Sequence, residues 1–272
     1  MMARADQAPG TKHQGLAIAV GVALIAGTVA TSAAQRGRGG APPVALGPGT
    51  IERVTVRDRE VLVYLPPHYG NDGARRFPVF YLLADRPVEN LRLPDAADRL
   101  APAQGFSEPI VVLVDPSSAA GDSEKFVAEE LTAYVDVHYR TIAARISRGL
   151  AGYSTGGDSA LRIAMKQPDV FSSLHLMNAS IADTTLTRLD AAAAAELRRY
   201  YAIAIDIGTK DTVLASNRQL HDALTRLGVP HYYEEYDGGH ADKLGERIET
   251  RMLPFFSRNL TAPANPTSPA VQ

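Results

Sequence analysis

Short, wholly apolar runs that recur between helix-like patterns constrain this chain most. Pro78–Ala84 (PVFYLLA) and Pro109–Asp115 (PIVVLVD) are continuously apolar up to their ends. A strand with one wet face alternates in polarity; one that is apolar throughout is covered on both faces. Ile51–Arg57 and Glu60–Pro66 do alternate, and read as an opening antiparallel pair. Glu124–Tyr139 has Phe126, Leu131, Val135 and Tyr139 at helical spacing. Arg148–Tyr153, Phe171–Met177, Tyr201–Ile207 and Val229–Tyr236 read as further strands. Between and after them, Gly156–Lys166, an Ala-rich stretch near Leu186–Tyr200, Asn217–Leu227 before Gly228, and Asp242–Leu260 read as helices. Strands alternating with helices give an α/β fold with a mostly parallel central sheet and helices on both faces. In such sheets function sits at the C-terminal ends of the strands.

The ends of the chain differ from its middle. Leu16–Ala34 carries no charge and follows a polar start with Arg4 and Lys12; small residues precede Gln35. Residues 1–34 therefore read as a secretory signal peptide, and the protein as exported, periplasmic or extracellular. The alternative is an uncleaved membrane anchor, the one way a membrane would enter. Residues 35–49 form a Gly/Pro linker, residues 50–260 the folded domain, and 261–272 a Pro/Ala/Ser/Thr tail expected to be disordered. The 272 residues are 45% hydrophobic with a net charge of −2, which argues against disorder of the whole and against a nucleic-acid partner. There is no cysteine, so disulfides and thiol chemistry are excluded.

Gly152-Tyr153-Ser154-Thr155-Gly156 matches G-x-S-x-G between an expected strand and an expected helix. A serine there sits on a strained turn, with its hydroxyl above the sheet and a helix N-terminus behind it. Its alternative is a passive serine in a Gly-rich connection. A nucleophilic serine needs a base. Of seven histidines, His13 lies in the signal segment and His68 in an early loop. His138 and His221 lie in expected helices, His175 inside a strand as a hydrogen-bonded core residue, and His231 at a strand start. His240 follows the last strand in Tyr236-Asp237-Gly238-Gly239-His240, where a Gly-Gly loop can carry it over the sheet edge. The base needs an orienting acid. Asp211, after the strand Tyr201–Ile207, gives the order Ser…Asp…His. The rivals are Asp183 after the preceding strand, Asp206 inside a strand, and Asp237, three residues before His240. No H-E-x-x-H pair or P-loop occurs.

With these residues in place, the chain resembles the serine esterases of the α/β-hydrolase fold that include feruloyl esterases, enterochelin-esterase-like proteins, S-formylglutathione hydrolase (esterase D) and the antigen 85 mycolyltransferases. The resemblance runs from about Val61 to Phe256. Val63-Tyr64-Leu65-Pro66-Pro67, Pro78–Leu83, Glu129-Glu130-Leu131, Tyr139-Arg140-Thr141, Ala151–Gly157, Gly208–Asp211 and Tyr236–His240 carry it. It implies Ser154 as nucleophile, His240 as base and Asp211 as acid, with no metal or cofactor. It implies carboxylic-ester hydrolysis through an acyl-enzyme, on a small-molecule or carbohydrate ester such as an acyl or feruloyl sugar. Acyl transfer of the antigen 85 type and a non-catalytic binding protein are the alternatives. The oxyanion-hole donors are expected to be the backbone N–H groups of Thr155 and, by motif position, Arg86. The family usually places His-Gly or Asp-Gly in the turn after the third strand; here Leu83-Ala84-Asp85-Arg86-Pro87 puts Asp85 where glycine is expected. The bulky aromatics that commonly follow the histidine are replaced by Ala241-Asp242-Lys243.

Overall fold

The computed structural model describes residues 47–85, 88–116 and 123–260. The segment read as a signal peptide, most of the expected linker, the tail and Arg86 lie outside the described residues. Two compact units divide the chain at Val44, and the described residues all belong to the second, Ala45–Gln272.

Among the described residues eight strands form one sheet: β1 (Thr50–Val56), β2 (Arg59–Leu65), β3 (Val79–Leu83), β4 (Ile110–Val114), β5 (Arg148–Tyr153), β6 (Ser173–Met177), β7 (Ala202–Gly208) and β8 (Tyr232–Tyr236). Their spatial order is β1-β2-β4-β3-β5-β6-β7-β8. β1 and β2 pair antiparallel, as does β2 with β4; every later pairing is parallel. Arg57 and Asp58 both take positive φ (50° and 64°) between the paired Val56 and Arg59. That is the backbone of a two-residue hairpin whose twist matches the strands. β3 and β4, the two continuously apolar runs, lie inside the sheet with all five residues of each buried.

The alternation of Cβ direction along each strand divides the core in two. One face packs Val79, Tyr81, Leu150, Leu174 and Ile205 against the helix 123–138, the helix Thr155–Lys166 and the helix Leu214–Arg226. The other packs Phe80, Leu82, Ala151 and Met177 against the helix Leu93–Leu100 and the helix 244–259. There Phe80 stacks on Phe256, with ring centroids 4.2 Å apart.

Several boundaries differ from the sequence reading. The expected helix over Leu186–Tyr200 is two short ones, Asp183–Thr187 and Ala191–Leu197. Asp190 breaks the run by capping the second, accepting from the Ala193 N–H at 2.9 Å. The last strand begins at Tyr232 rather than Val229: Pro230 has no N–H for the ladder, and the His231 ring bonds the Val229 carbonyl at 2.8 Å. Leu93–Leu100, unassigned from sequence, is a helix with proline in its first turn that buries Leu93, Ala96 and Ala97.

Candidate active site

Ser154 joins β5 to the helix Thr155–Lys166 with φ 55° and ψ −128°. A residue with a Cβ is strained there, by about 1–3 kcal/mol, so the turn must be held from outside. Gly156 makes that possible: a Cβ on it would lie 2.0 Å from the Leu83 carbonyl oxygen, so only glycine lets the turn press against the end of β3. The Ser154 carbonyl accepts from the N–H of Gly157 at 3.0 Å and of Ser180 at 2.8 Å. Ser154 is 8% exposed, at the rim of the sheet.

Asp211 and His240 arrive from the ends of the neighbouring strands β7 and β8. Thr209 N–H donates to the Tyr236 carbonyl at 2.8 Å, and Lys210 N–H to the Gly238 carbonyl at 2.9 Å, so the two loops are tied together. A Cβ on Gly208 would stand 2.3 Å from the Gly238 oxygen; glycine is required for that approach. The Asp211 side chain is fully buried. One carboxylate oxygen accepts from the Val213 N–H at 3.1 Å and the other from His240 Nδ1 at 2.8 Å. A carboxylate can only accept, so Nδ1 carries the ring proton and Nε2 keeps a lone pair. Nε2 lies 2.9 Å from Ser154 Oγ. The arrangement can take a proton from the Ser154 hydroxyl and hold the resulting imidazolium against a buried carboxylate.

The structure thus brings Ser154, His240 and Asp211 together, and it places the rival acids elsewhere. Asp183 starts a short helix and is exposed. Asp237 pairs with Lys210 on the surface at 2.7 Å. Asp206 is buried against His175 Nε2 at 2.9 Å, so His175 is the hydrogen-bonded core histidine expected of it. His221 and His231 bond each other at 2.8 Å, and His138 stacks on Tyr134.

Thr155 occupies the first turn of its helix, where a backbone N–H has no intrahelical acceptor. Its side-chain hydroxyl donates to the Asp85 carboxylate at 3.1 Å. Asp85 is exposed, yet its side chain is turned toward the helix start behind Ser154. Arg86, the other expected donor, lies outside the described residues.

Three side chains that the sequence did not single out position the His240 loop. Asn178, just past β6, is buried in a left-handed conformation (φ 46°), which asparagine tolerates better than most residues. Its amide donates to the His240 carbonyl at 2.8 Å and the Gly239 carbonyl at 3.3 Å. Its own oxygen accepts from the Tyr236 hydroxyl at 2.9 Å. Burial pushes the Tyr236 phenol up to about 12, so it remains a donor at neutral pH. Tyr153, next to Ser154, donates its hydroxyl to the same His240 carbonyl at 2.9 Å, with its ring 5.2 Å from the imidazole. Their places at strand ends are the one signal sequence held for them.

Residues 53–244, more than half of the chain, match the family model described as Esterase. The chain belongs to the Esterase family. Esterase Rv1288 of Mycobacterium tuberculosis is 24% identical over 66% of this chain and 52% of its own length. This member therefore spans about half the length of that curated relative. Among solved structures, a ferulic acid esterase superposes with a TM-score of 0.67 at 24% identity, over 77% of this chain and 97% of that one. The fluorophosphonate-binding serine hydrolase FphF of Staphylococcus aureus superposes with a TM-score of 0.64 at 20% identity, over 78% and 99%. These likenesses show the α/β-hydrolase fold.

Proposed function

We propose that this family member is a serine carboxylic-ester hydrolase working through an acyl-enzyme on Ser154. The observation that carries the reading is the unbroken chain from Ser154 Oγ through His240 to Asp211, with the serine held in the strained turn. His240 Nε2 takes the hydroxyl proton as Oγ attacks the ester carbonyl. The Thr155 N–H, at the positive end of its helix, stabilises the oxyanion. His240 then protonates the leaving alcohol, and water, deprotonated by the same nitrogen, releases the acid and restores Ser154. Hydrolysis of acyl or feruloyl sugar esters after export is the finer reading, supported by the family resemblance and by the signal read in residues 1–34.

A fluorophosphonate probe tests it together with a panel of acetyl, butyryl, feruloyl-sugar and thioester substrates. Wild-type protein should be labelled on Ser154 and should turn over at least one ester. Ser154→Ala should stay folded, lose labelling, and lose several powers of ten in rate. Full turnover by Ser154→Ala would sink the mechanism.

A further inference from the structure

The proposed chemistry gives no part to Arg247, a cation on the helix 244–259 that is only 5% exposed. Taking a guanidinium out of water is costly, and pairing it often does no more than offset that cost. Its partners come from two strands. Nη1 and Nη2 donate to the two Glu234 oxygens on β8 at 3.1 Å and 2.8 Å, and Nη2 lies 3.4 Å from Asp206 Oδ2 on β7. Its Nε is buried with no hydrogen-bond partner among the described residues. A buried donor left unmet weakens a fold, so stability alone explains this residue poorly.

The needs of the two acids do not explain it either. Asp206 is already bonded to His175 Nε2 at 2.9 Å, and Glu234 to Arg251 at 2.8 Å and 3.1 Å. What Arg247 adds to these pairs is a cation over the ring of Tyr236, with Cζ 4.4 Å from the ring centroid. A guanidinium there is attracted to the negative face of the ring, and more strongly when both are withdrawn from water. Tyr236 is buried as well. The two carboxylates fix where the guanidinium stands, and the guanidinium stands over the ring.

That ring is one step from the catalytic loop. Carbonyls can only accept, so the Asn178 NH2 faces the His240 and Gly239 carbonyls, at 2.8 Å and 3.3 Å. Its oxygen is left facing the Tyr236 hydroxyl, which donates at 2.9 Å. A ring free to swing would release the amide, and the amide would release the loop. We propose that Arg247 is a positioning residue for His240, acting through Tyr236 and Asn178. The inference rests on the hydrolytic reading for its kinetic consequence alone; the placement of the imidazole can be followed without any reaction.

The test joins kinetics to NMR of protein carrying isotope-labelled histidine. The proton on His240 Nδ1, bonded to buried Asp211, is assigned by its absence from His240→Gln. Arg247→Met keeps the stem and removes the charge; Arg247→Lys keeps the charge and loses the planar fork. Turnover of a small activated ester is counted per serine labelled by a fluorophosphonate, which takes any unfolded fraction out of kcat. Arg247→Met should lower that kcat about 10- to 100-fold with KM little changed. It should also shift or broaden the Nδ1 proton signal, and Arg247→Lys should lie between it and the wild type. Tyr236→Phe keeps the ring and removes the hydroxyl that reaches Asn178. Combined with Arg247→Met, it should cost little more than the worse single change, because both act along one path. Losses that multiply independently, or an unchanged signal and kcat in Arg247→Met, overturn the proposal. Should Arg247→Met no longer melt cooperatively, Arg247→Lys decides by the same two readouts. A wild-type protein that neither takes the label nor turns over any ester would sink the hydrolytic reading instead, and the Nδ1 signal would still decide the role of Arg247.

Discussion

Reach decides the orienting acid among four candidates. Only Asp211 places a carboxylate oxygen 2.8 Å from His240 Nδ1, and it does so from full burial. Asp211→Asn keeps the shape but offers the ring an amide, which lets the wrong tautomer form. It should lower kcat by about 10⁴, the scale of the serine-protease case, while Asp183→Asn leaves turnover close to wild type. Steady-state kinetics on one activated ester rank the two, and the reverse order would move the acid to Asp183. Asp85 is a subtler matter. Its carboxylate accepts from the Thr155 hydroxyl, so a negative charge stands at the helix start where the oxyanion forms. For an exposed carboxylate at roughly 6 Å, with an effective dielectric of about 40–80, the repulsion is about 0.7–1.4 kcal/mol. Asp85→Asn, whose amide oxygen can still accept from Thr155, should raise kcat about 3- to 10-fold. An unchanged or lower rate would show that the carboxylate serves to hold Thr155.

At the scale of elements, the site is a meeting of four strand ends. β5 supplies Ser154, β6 leads to Asn178, β7 to Asp211 and β8 to His240. Asn178 belongs to the positioning of His240 rather than to the reacting atoms, because its amide reaches the loop carbonyls of Gly239 and His240 and not the imidazole. Asn178→Asp tolerates the same left-handed backbone but removes both N–H donors. A displacement of the imidazole by about 1 Å can cost about 10²-fold in rate, so kcat should fall by that order with KM little changed. Asn178→Gln, which keeps the donors on a longer stem, should recover part of it. Equal loss in KM and kcat, or a protein that no longer melts cooperatively, would assign Asn178 to the fold alone.

Across the whole molecule, acid stability follows from the edge strand β8. Hydrogen bonds from Arg247, and next from Arg251, hold the Glu234 carboxyl down at about 2; Arg218 does the same for Glu235. Both lie below the ordinary value of 4.5, so the folded state binds fewer protons than the unfolded chain between those values. The stability these pairs contribute is present above pH 4.5 and is lost as pH falls toward about 2. Urea denaturation from pH 7 to pH 2 should show that decline. Glu234→Gln should be less stable at pH 7 and decline less steeply; an identical slope would rule Glu234 out as its source. Much of the architecture was legible because it is local. Polarity period marks strands and helices, Gly152-Tyr153-Ser154-Thr155-Gly156 marks a strained turn, and the loops after β7 and β8 mark where an acid and a base can stand. Those signals named the α/β class and brought Ser154, Asp211 and His240 into consideration without any coordinates. Other features exist only once distant segments meet. No residue of β4 announces that it will lie between β2 and β3. The Asn178 bonds to the His240 loop, the turn of Asp85 onto Thr155 and the His175–Asp206 pair join residues far apart in the chain. Backbone periodicity is written along the chain, whereas which side chains come within 3 Å of each other depends on crossovers and close packing in three dimensions.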